Sequence, residues 1–256
     1  MDHFFNIKVI KKERKQKVDT NKDFLILSNR YSILNDKKLN IHSTIFDRMK
    51  NLSKNPMNLY IHGNKGVGKY VIVQYYIYKI LGYQPNLQEN TFISDTKEFS
   101  YYNSKNYKEI IINKYNFNDI NLIIKLLKSI LNENYNHFSN TKNLVVIKNI
   151  EIMRSENIKY LKNIIEKYSN NNIFIFISKK DIPEIFKGFF VNLRIPKPNK
   201  NELDKLINHI CKIKNFNINE EQINYIIKLS DGSISKLINI IELSFLDGSY
   251  EKYEDI

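Results

Sequence analysis

One short glycine-rich stretch constrains this chain more than any other feature of its sequence. The stretch fits the pattern G-x-x-x-x-G-K and comprises Gly63, Asn64, Lys65, Gly66, Val67, Gly68 and Lys69. It lies between a strand-like apolar run at 58–62 and a run at 71–81 that is typical of a buried helix. In such a unit, loop N–H groups and the helix N-terminus bind an anion, and Lys69 adds a charge for outer phosphates. This context favours a phosphate-binding loop over an incidental glycine-rich turn.

The residue after this loop departs from the usual pattern. Ser or Thr at this place ligates Mg²⁺, whereas this chain has Tyr70, whose phenol cannot reach the metal as a short hydroxyl does. We therefore expect ATP or ADP as the ligand, with phosphate binding better preserved than metal-assisted hydrolysis.

A second departure follows the apolar strand predicted at 144–147. Hydrolysis in this type of fold needs an acid at the end of a neighbouring strand to hold magnesium, and a carboxylate to activate water. Here the strand is followed by Lys148, Asn149, Ile150 and Glu151. A cation and an amide replace the first two expected acids, so Mg²⁺ binding should be weakened further and no residue is assigned a catalytic role.

The rest of the chain alternates between short apolar runs and helical patterns. We predict further strands at 91–94, 106–112 and 173–177, and helices at 119–131 and 155–168. Strands that are apolar on both faces and alternate with helices indicate an α/β fold with a mostly parallel sheet.

The composition changes after Pro196 and Pro198. Three helical patterns follow without a strand between them, at 201–213, 219–229 and 233–246. We therefore predict a basic N-terminal arm at 1–23, a P-loop α/β domain at 24–197 and a small helical lid domain at 198–256.

The net charge favours a polyanionic partner. Lys and Arg number 40 against 27 Asp and Glu, which gives a net charge of +13. A general enrichment in Asn, Lys, Ile and Tyr is an alternative source of this excess. The basic arm, with Lys11, Lys12, Arg14, Lys15 and Lys17, is either a solvated tail or a segment that seeks phosphates.

Several classes of protein are excluded or disfavoured. Cys211 is the single cysteine, which excludes an internal disulfide and a cysteine-based zinc site, and its apolar surroundings favour a buried thiol. The five histidines lack metal-ligand spacing. Neither a membrane span nor a signal peptide is recognised, so we expect a soluble protein inside the cell with no membrane partner.

Taken in order, these segments resemble the small subunits of replication factor C, which are AAA+ sliding-clamp loaders. The resemblance covers roughly residues 24–250 and is strongest to the subunit type that is itself catalytically degenerate. Its segments are the phosphate loop, 144–151, 165–168, 173–177, 194–198 and 231–236, with 39–42 and 51–52 upstream. It implies an AAA+ P-loop domain with a parallel sheet, followed by a small helical lid.

Matched position by position, the resemblance implies a nucleotide site that has lost most hydrolytic groups. The family's acidic motif aligns with residues 148–151, and its sensor Asn aligns with Ser178. The arginine-finger motif aligns with 187–189, and the sensor Arg of the lid aligns with Ser235. On the adenine side only Arg30 matches. The implied nucleotide-binding residues are the loop, Tyr70, Arg30, Ser178 and Ser235. Each such loss costs about 10²-fold or more in rate, so efficient turnover is not expected.

Three basic residues are candidates for DNA binding. Arg154, Lys159 and Lys162 flank or lie on the helix predicted at 155–168, in the region where the resemblance implies that loaders face the duplex backbone. A track that binds phosphates and an ordinary solvated helix face both remain open.

These observations predict a sliding-clamp loader subunit in DNA replication, part of a DNA-dependent ATPase complex, with its own ATPase lost. Its expected partners are sister loader subunits, a sliding clamp and primer–template DNA, at the nucleus or another site of replication. An active P-loop ATPase or helicase-type motor and a degenerate P-loop scaffold for proteins remain alternatives. The family's collar helices do not follow the lid, so we expect ring assembly through a partner's collar or through packing between ATPase domains.

Overall fold

The computed structural model describes residues 9–11, 41–94, 97–112, 120–132, 142–214 and 217–247. The predicted arm at 1–23 lies outside these residues, except for Val9–Lys11, which forms a strand that the sequence did not predict. Within these ranges the chain divides into two compact units, the described parts of 1–18, 55–62 and 80–193, and those of 19–54, 63–79 and 194–256. The predicted domain boundaries at 23 and 197 stay predictions.

The first unit is built on a sheet in which eight strands are described, in the order β1-β3-β4-β5-β6-β7-β2-β8. The strands are β1 Val9–Lys11, β2 Leu59–His62, β3 Gln88–Ser94, β4 Lys97–Ser104, β5 Tyr107–Ile111, β6 Asn143–Lys148, β7 Asn172–Ser178 and β8 Val191–Arg194. Strands β5, β6, β7 and β2 pair in parallel, and β1, β3, β4 and β5 pair antiparallel. The predicted mostly parallel α/β sheet is confirmed, with an antiparallel extension on one side.

The central strands form where the sequence is continuously apolar. All seven residues of β7 and all four of β2 are buried, as expected for parallel strands covered on both faces. Strand β4 was not predicted because it lacks such a run. It alternates instead, with Phe99 and Tyr101 buried and Glu98 and Ser100 exposed, which is the pattern of a half-buried antiparallel strand.

Two predicted helices pack against this sheet. Helix α3 spans Ile120–Asn132 and helix α4 spans Ser155–Tyr168, and both contribute buried residues to the core of the first unit. Phe176 of β7 lies in that core with its ring stacked on Phe190 at 4.6 Å and edge-on to Phe186 at 5.4 Å. Offset and edge contacts of this kind add to the burial of each aromatic ring.

The second unit is helical in its described part. It contains α1 Ser43–Leu52, α2 Lys69–Leu81 as far as Lys79, α5 Lys200–Lys214, α6 Glu220–Ser230 and α7 Ile234–Asp247. The three helices predicted after residue 198 are confirmed, and Val71 of α2 belongs to the same buried core as Leu206 and Leu237. A helix long and apolar enough to cross a bilayer does not occur in the residues that the structure describes.

Candidate phosphate-binding site

The phosphate loop starts directly after β2 and runs into the first turn of α2. Gly66 and Gly68 have φ values of +80° and +91°, a left-handed region that favours glycine. The helix begins at once, since the N–H of Ile72 donates to the carbonyl of Gly68 at 3.2 Å. This is the strand–loop–helix geometry that the glycine pattern predicted, with a helix N-terminus adjoining the loop.

The side chain of Lys69 folds back along the loop. Its ammonium nitrogen donates to the carbonyl oxygens of Gly63 and Asn64 at 2.7 and 2.6 Å. These contacts hold the long side chain folded back along its own loop, so little conformational entropy is left to lose when an anion binds beside it.

The first turn of α7 lies against the loop at Gly66. The N–H of Ser235 donates to the Gly66 carbonyl at 3.2 Å, and a Cβ at Gly66 would lie 2.0 Å from the hydroxyl of Ser233. Ser233 also begins α7, because its hydroxyl accepts from the N–H of Lys236 at 3.2 Å. The structure thus brings Ser235 to the loop through its backbone.

His42 ties the loop to a second helix, a role that the sequence did not indicate. Its Nε2 lies 3.0 Å from the carbonyl of Val67, and its backbone N–H donates to Glu202 of α5 at 3.3 Å. Burial lowers the pKa of His42, outweighing the contact with Val67 and the charge of Glu202. A neutral ring must carry its proton on Nε2 to donate to that carbonyl.

The proline-containing segment after β8 adjoins both the loop and the end of α6. A Cβ at Gly63 would lie 2.4 Å from the carbonyl oxygen of Ile195. Lys197 pairs with Asp231 at 2.8 Å, and this contact lowers the pKa of the Asp231 carboxyl. This segment is therefore in contact with both the loop and the end of α6.

In the first unit, a buried ion pair stands at the end of β6. The ammonium of Lys148 lies 2.5 Å from Glu109 of β5, and the phenol of Tyr107 donates to the other oxygen of the same carboxylate. The Glu109 side chain is only 3% exposed. Burial lowers the pKa of Lys148, while the charge and hydrogen bond of Glu109 oppose this shift. The cation that the sequence showed here is balanced by a carboxylate that the sequence analysis did not identify.

The next position, Asn149, serves the backbone of the sheet. It adopts a left-handed φ of +60°, its N–H donates to Ile177 at 2.9 Å and its side-chain amide donates to Ile112 at 3.1 Å. These bonds fasten the end of β6 to its two neighbours. Asn149 therefore has a structural role at the ends of these strands.

Glu151 and Ser178 lie near the phenol of Tyr60. Both carboxylate oxygens of Glu151 are buried and have no hydrogen-bond partner among the described residues. Burial, with the charges of Glu151 and Asp181, raises the pKa of Tyr60 to about 12 despite a hydrogen bond with Ser178. A carboxylate shielded from solvent in this way is poorly placed to activate a water molecule.

Comparison with solved structures identifies this architecture. The chain superposes on domain III of the Thermotoga maritima replication initiation protein DnaA with a TM-score of 0.53 and 12% identity, covering 86% of this chain and 90% of that chain. The chain has the fold of the AAA+ P-loop ATPase domains. Neither a protein-family model nor a curated protein sequence matches it.

Two further structures with the AAA+ fold are longer than this chain. AMPPCP-bound DnaA from Aquifex aeolicus gives a TM-score of 0.50 and 14% identity, over 89% of this chain and 64% of that chain. The Thermotoga maritima RuvB Holliday junction branch migration motor gives a TM-score of 0.51 and 11% identity, over 84% of this chain and 66% of that chain. The chain thus spans just under two thirds of each.

The candidate DNA-binding residues lie on α4 or directly before it. Arg154 precedes the helix and Lys159 is exposed on it. Lys162 forms an ion pair with Glu166 at 3.4 Å and a cation–π contact with Phe189, whose ring centre lies 5.1 Å from its ammonium. The structure places Lys159 and Lys162 on α4 and Arg154 at the residue before it, and their role stays a prediction.

Of the other two predicted positions, Lys187 lies among the described residues and Arg30 does not. Lys187, which the resemblance aligns with the arginine-finger motif but which is not an arginine, pairs locally with Glu184 at 2.5 Å, and both side chains are more than half exposed. Arg30, the match on the adenine side, lies outside the described residues.

The close approach at Gly66 leads to a first prediction. Gly66→Ala places a Cβ against Ser233, whereas Gly82 has a similar φ of +77° with nothing within 4 Å of an added Cβ. Gly66→Ala should therefore cost about 1–3 kcal/mol more than Gly82→Ala in free energy of unfolding, because overpacking adds to the same backbone strain. Urea denaturation of both variants measures this difference. Equal losses would show that α7 does not lie against the loop.

The buried carboxylate of Glu151 leads to a second prediction. Replacing it with an apolar side chain of similar size removes buried polar atoms that have no described partner, so Glu151→Met should raise the free energy of unfolding by about 1–2 kcal/mol. The control is Glu98→Met, at an exposed position of β4, which should change it by less than about 0.5 kcal/mol. A loss of stability in Glu151→Met would mean that this carboxylate makes a favourable interaction.

Proposed function

We propose that this chain is a nucleotide-binding subunit of a sliding-clamp loader that no longer hydrolyses ATP efficiently itself. The observation that carries the proposal is a contrast between two places. The phosphate loop keeps its glycines, its lysine and its contact with α7, whereas the end of β6 carries a buried Lys148–Glu109 pair.

The loop supports binding of ATP or ADP. Anion binding needs backbone N–H groups, a helix N-terminus and a nearby cation, and residues 63–69 with α2 provide all three. The contact of Ser235 with Gly66 brings the start of a second helix to the same loop. One structural neighbour with this fold, DnaA from Aquifex aeolicus, is described as AMPPCP-bound.

The loss of hydrolysis rests on what occupies the hydrolytic positions. Lys148 is a cation held by Glu109, Asn149 fastens three strands, and Glu151 is shielded from water. Lys187 replaces the planar, bidentate group of an arginine finger with a point charge. Removing several such groups together leaves little catalysis over background.

The structural neighbours and the net charge support the DNA-related part of the proposal. Two structural neighbours are a replication initiation protein and a Holliday junction branch migration motor. The net charge of +13 suits a phosphate-rich partner. We propose primer–template DNA, sister subunits and a sliding clamp as partners, at a site of DNA replication. A protein-binding scaffold with the same fold would lack the DNA binding, so salt-dependent duplex binding separates the two.

A third prediction concerns nucleotide binding and turnover. ATP or ADP should raise the melting temperature by mass action, and Lys69→Ala should remove this shift because the loop loses its cation. Lys50→Ala, which removes an exposed lysine of α1 outside the loop, should keep it. Neither the natural chain nor Lys69→Ala should hydrolyse ATP above background, with or without primed DNA. A turnover near about 1 s⁻¹ that disappears in Lys69→Ala would instead support the active-ATPase alternative.

A fourth prediction concerns DNA. Alanine at Arg154, Lys159 and Lys162 should weaken duplex binding equally on unrelated sequences. The salt slope should fall by about one unit for each phosphate that a removed side chain had neutralised. A control with alanine at Lys200, Lys205 and Lys212 removes three exposed charges from α5 and should have a smaller effect.

The basic arm needs its own control in that experiment. If deleting residues 1–23 abolishes binding while the α4 triple variant binds normally, the assignment of α4 is wrong and the arm alone carries the DNA affinity.

A further inference from the structure

The AAA+ fold implies Mg²⁺ beside a bound nucleotide, and the residues of this chain test whether the metal fits. Magnesium takes oxygen ligands in near-octahedral geometry and retains several of its waters. In P-loop enzymes the protein supplies a short hydroxyl after the loop lysine and an acid at the end of a neighbouring strand. This chain has Tyr70 and Lys148 at those places.

The end of β6 opposes a divalent cation. The Lys148 ammonium is itself positively charged and nearly buried, with 17% of its side chain exposed. Because charges interact more strongly away from water, a second cation beside this group is disfavoured more than at an open surface. The chemistry of the position is therefore the reverse of a metal ligand.

The carboxylate nearest to Lys148 is already in use. Glu109 accepts from the ammonium of Lys148 with one oxygen and from the phenol of Tyr107 with the other. The three groups form a cluster, Tyr107–Glu109–Lys148, in which a cation and two hydrogen bonds satisfy one buried carboxylate. Binding a metal at Glu109 would require breaking both interactions, which is costly for a buried pair.

Glu151 does not provide the missing acidic ligand for magnesium. Its two oxygens are shielded from solvent, whereas Mg²⁺ would have to reach them with part of its water shell. The hydroxyl of Tyr60, which lies near Glu151, and that of Ser178, which bonds to Tyr60, are neutral and carry no charge to offset dehydration of the metal. The donor set of the described residues does not fit magnesium.

We infer that this chain takes its nucleotide as the metal-free anion, and that the Tyr107–Glu109–Lys148 cluster stands where the AAA+ fold implies a magnesium-holding acid. The inference rests on the proposed nucleotide-binding function and specifies its ligand. A metal-free nucleoside diphosphate or triphosphate carries two more negative charges than its magnesium complex. The loop cation Lys69 and the N-terminus of α2 are the groups that attract that charge.

Calorimetric titration of ADP and ATP into the full chain tests this, with excess EDTA in one series and excess MgCl₂ in the other. The expected result is binding in EDTA, with Kd unchanged or higher in MgCl₂, because Mg²⁺ withdraws the free nucleotide. A Kd that falls about tenfold or more in MgCl₂ overturns the inference and leaves the proposed function standing. Failure to bind in both series overturns the nucleotide-binding function itself, and this inference with it.

A pair of variants on β6 adds a matched comparison. Lys148→Met removes the ammonium and releases Glu109, so the ratio of Kd in MgCl₂ to Kd in EDTA should fall by about threefold or more. Lys142→Met removes an exposed lysine just before the same strand and should leave the ratio unchanged. An unchanged ratio in folded Lys148→Met contradicts the role given to Lys148. If that variant does not fold, the two titrations of the natural chain decide the question alone.

Discussion

At Gly66 the backbone of the phosphate loop and the first turn of α7 come so close that a side chain has no room. A Cβ at Gly66 would lie 2.0 Å from the hydroxyl of Ser233, and the N–H of Ser235 donates to the carbonyl of Gly66. The neighbouring Val67 carbonyl is held by His42. The second unit is thus organised around the loop, with α7 and the residue preceding α1 both fixed to its backbone.

The first unit accommodates a largely buried lysine at the end of β6 through its neighbours. A lone Lys at the end of β6 would be an unpaired buried charge, which proteins rarely tolerate. Glu109 and Tyr107 satisfy it, and Asn149 uses its amide to fasten the strand ends. The sheet therefore remains well bonded at the end of β6.

Much of the fold followed from local patterns, because continuous apolar runs and helical spacing are properties of short segments. The strand at 173–177 and the helix at 155–168 are examples that the structure confirms. Strand β4 was missed because its buried and exposed residues alternate. The partners of Lys148 and the hydrogen bond of His42 were missed for another reason. Each joins residues far apart in sequence, 39 positions from Glu109 to Lys148 and 25 from His42 to Val67, and only pairing of strands and packing of helices reveals them.

If the phosphate loop binds nucleotide while the first turn of α7 stays against it, ADP should protect both segments together. Hydrogen–deuterium exchange of the full chain, with and without ADP in EDTA, measures this residue by residue. Slower exchange is expected on ADP addition for peptides covering both 63–70 and 233–237, with little change in α4. Unchanged exchange in the loop at saturating ADP would show that the loop does not bind nucleotide and that its glycine pattern is a relic.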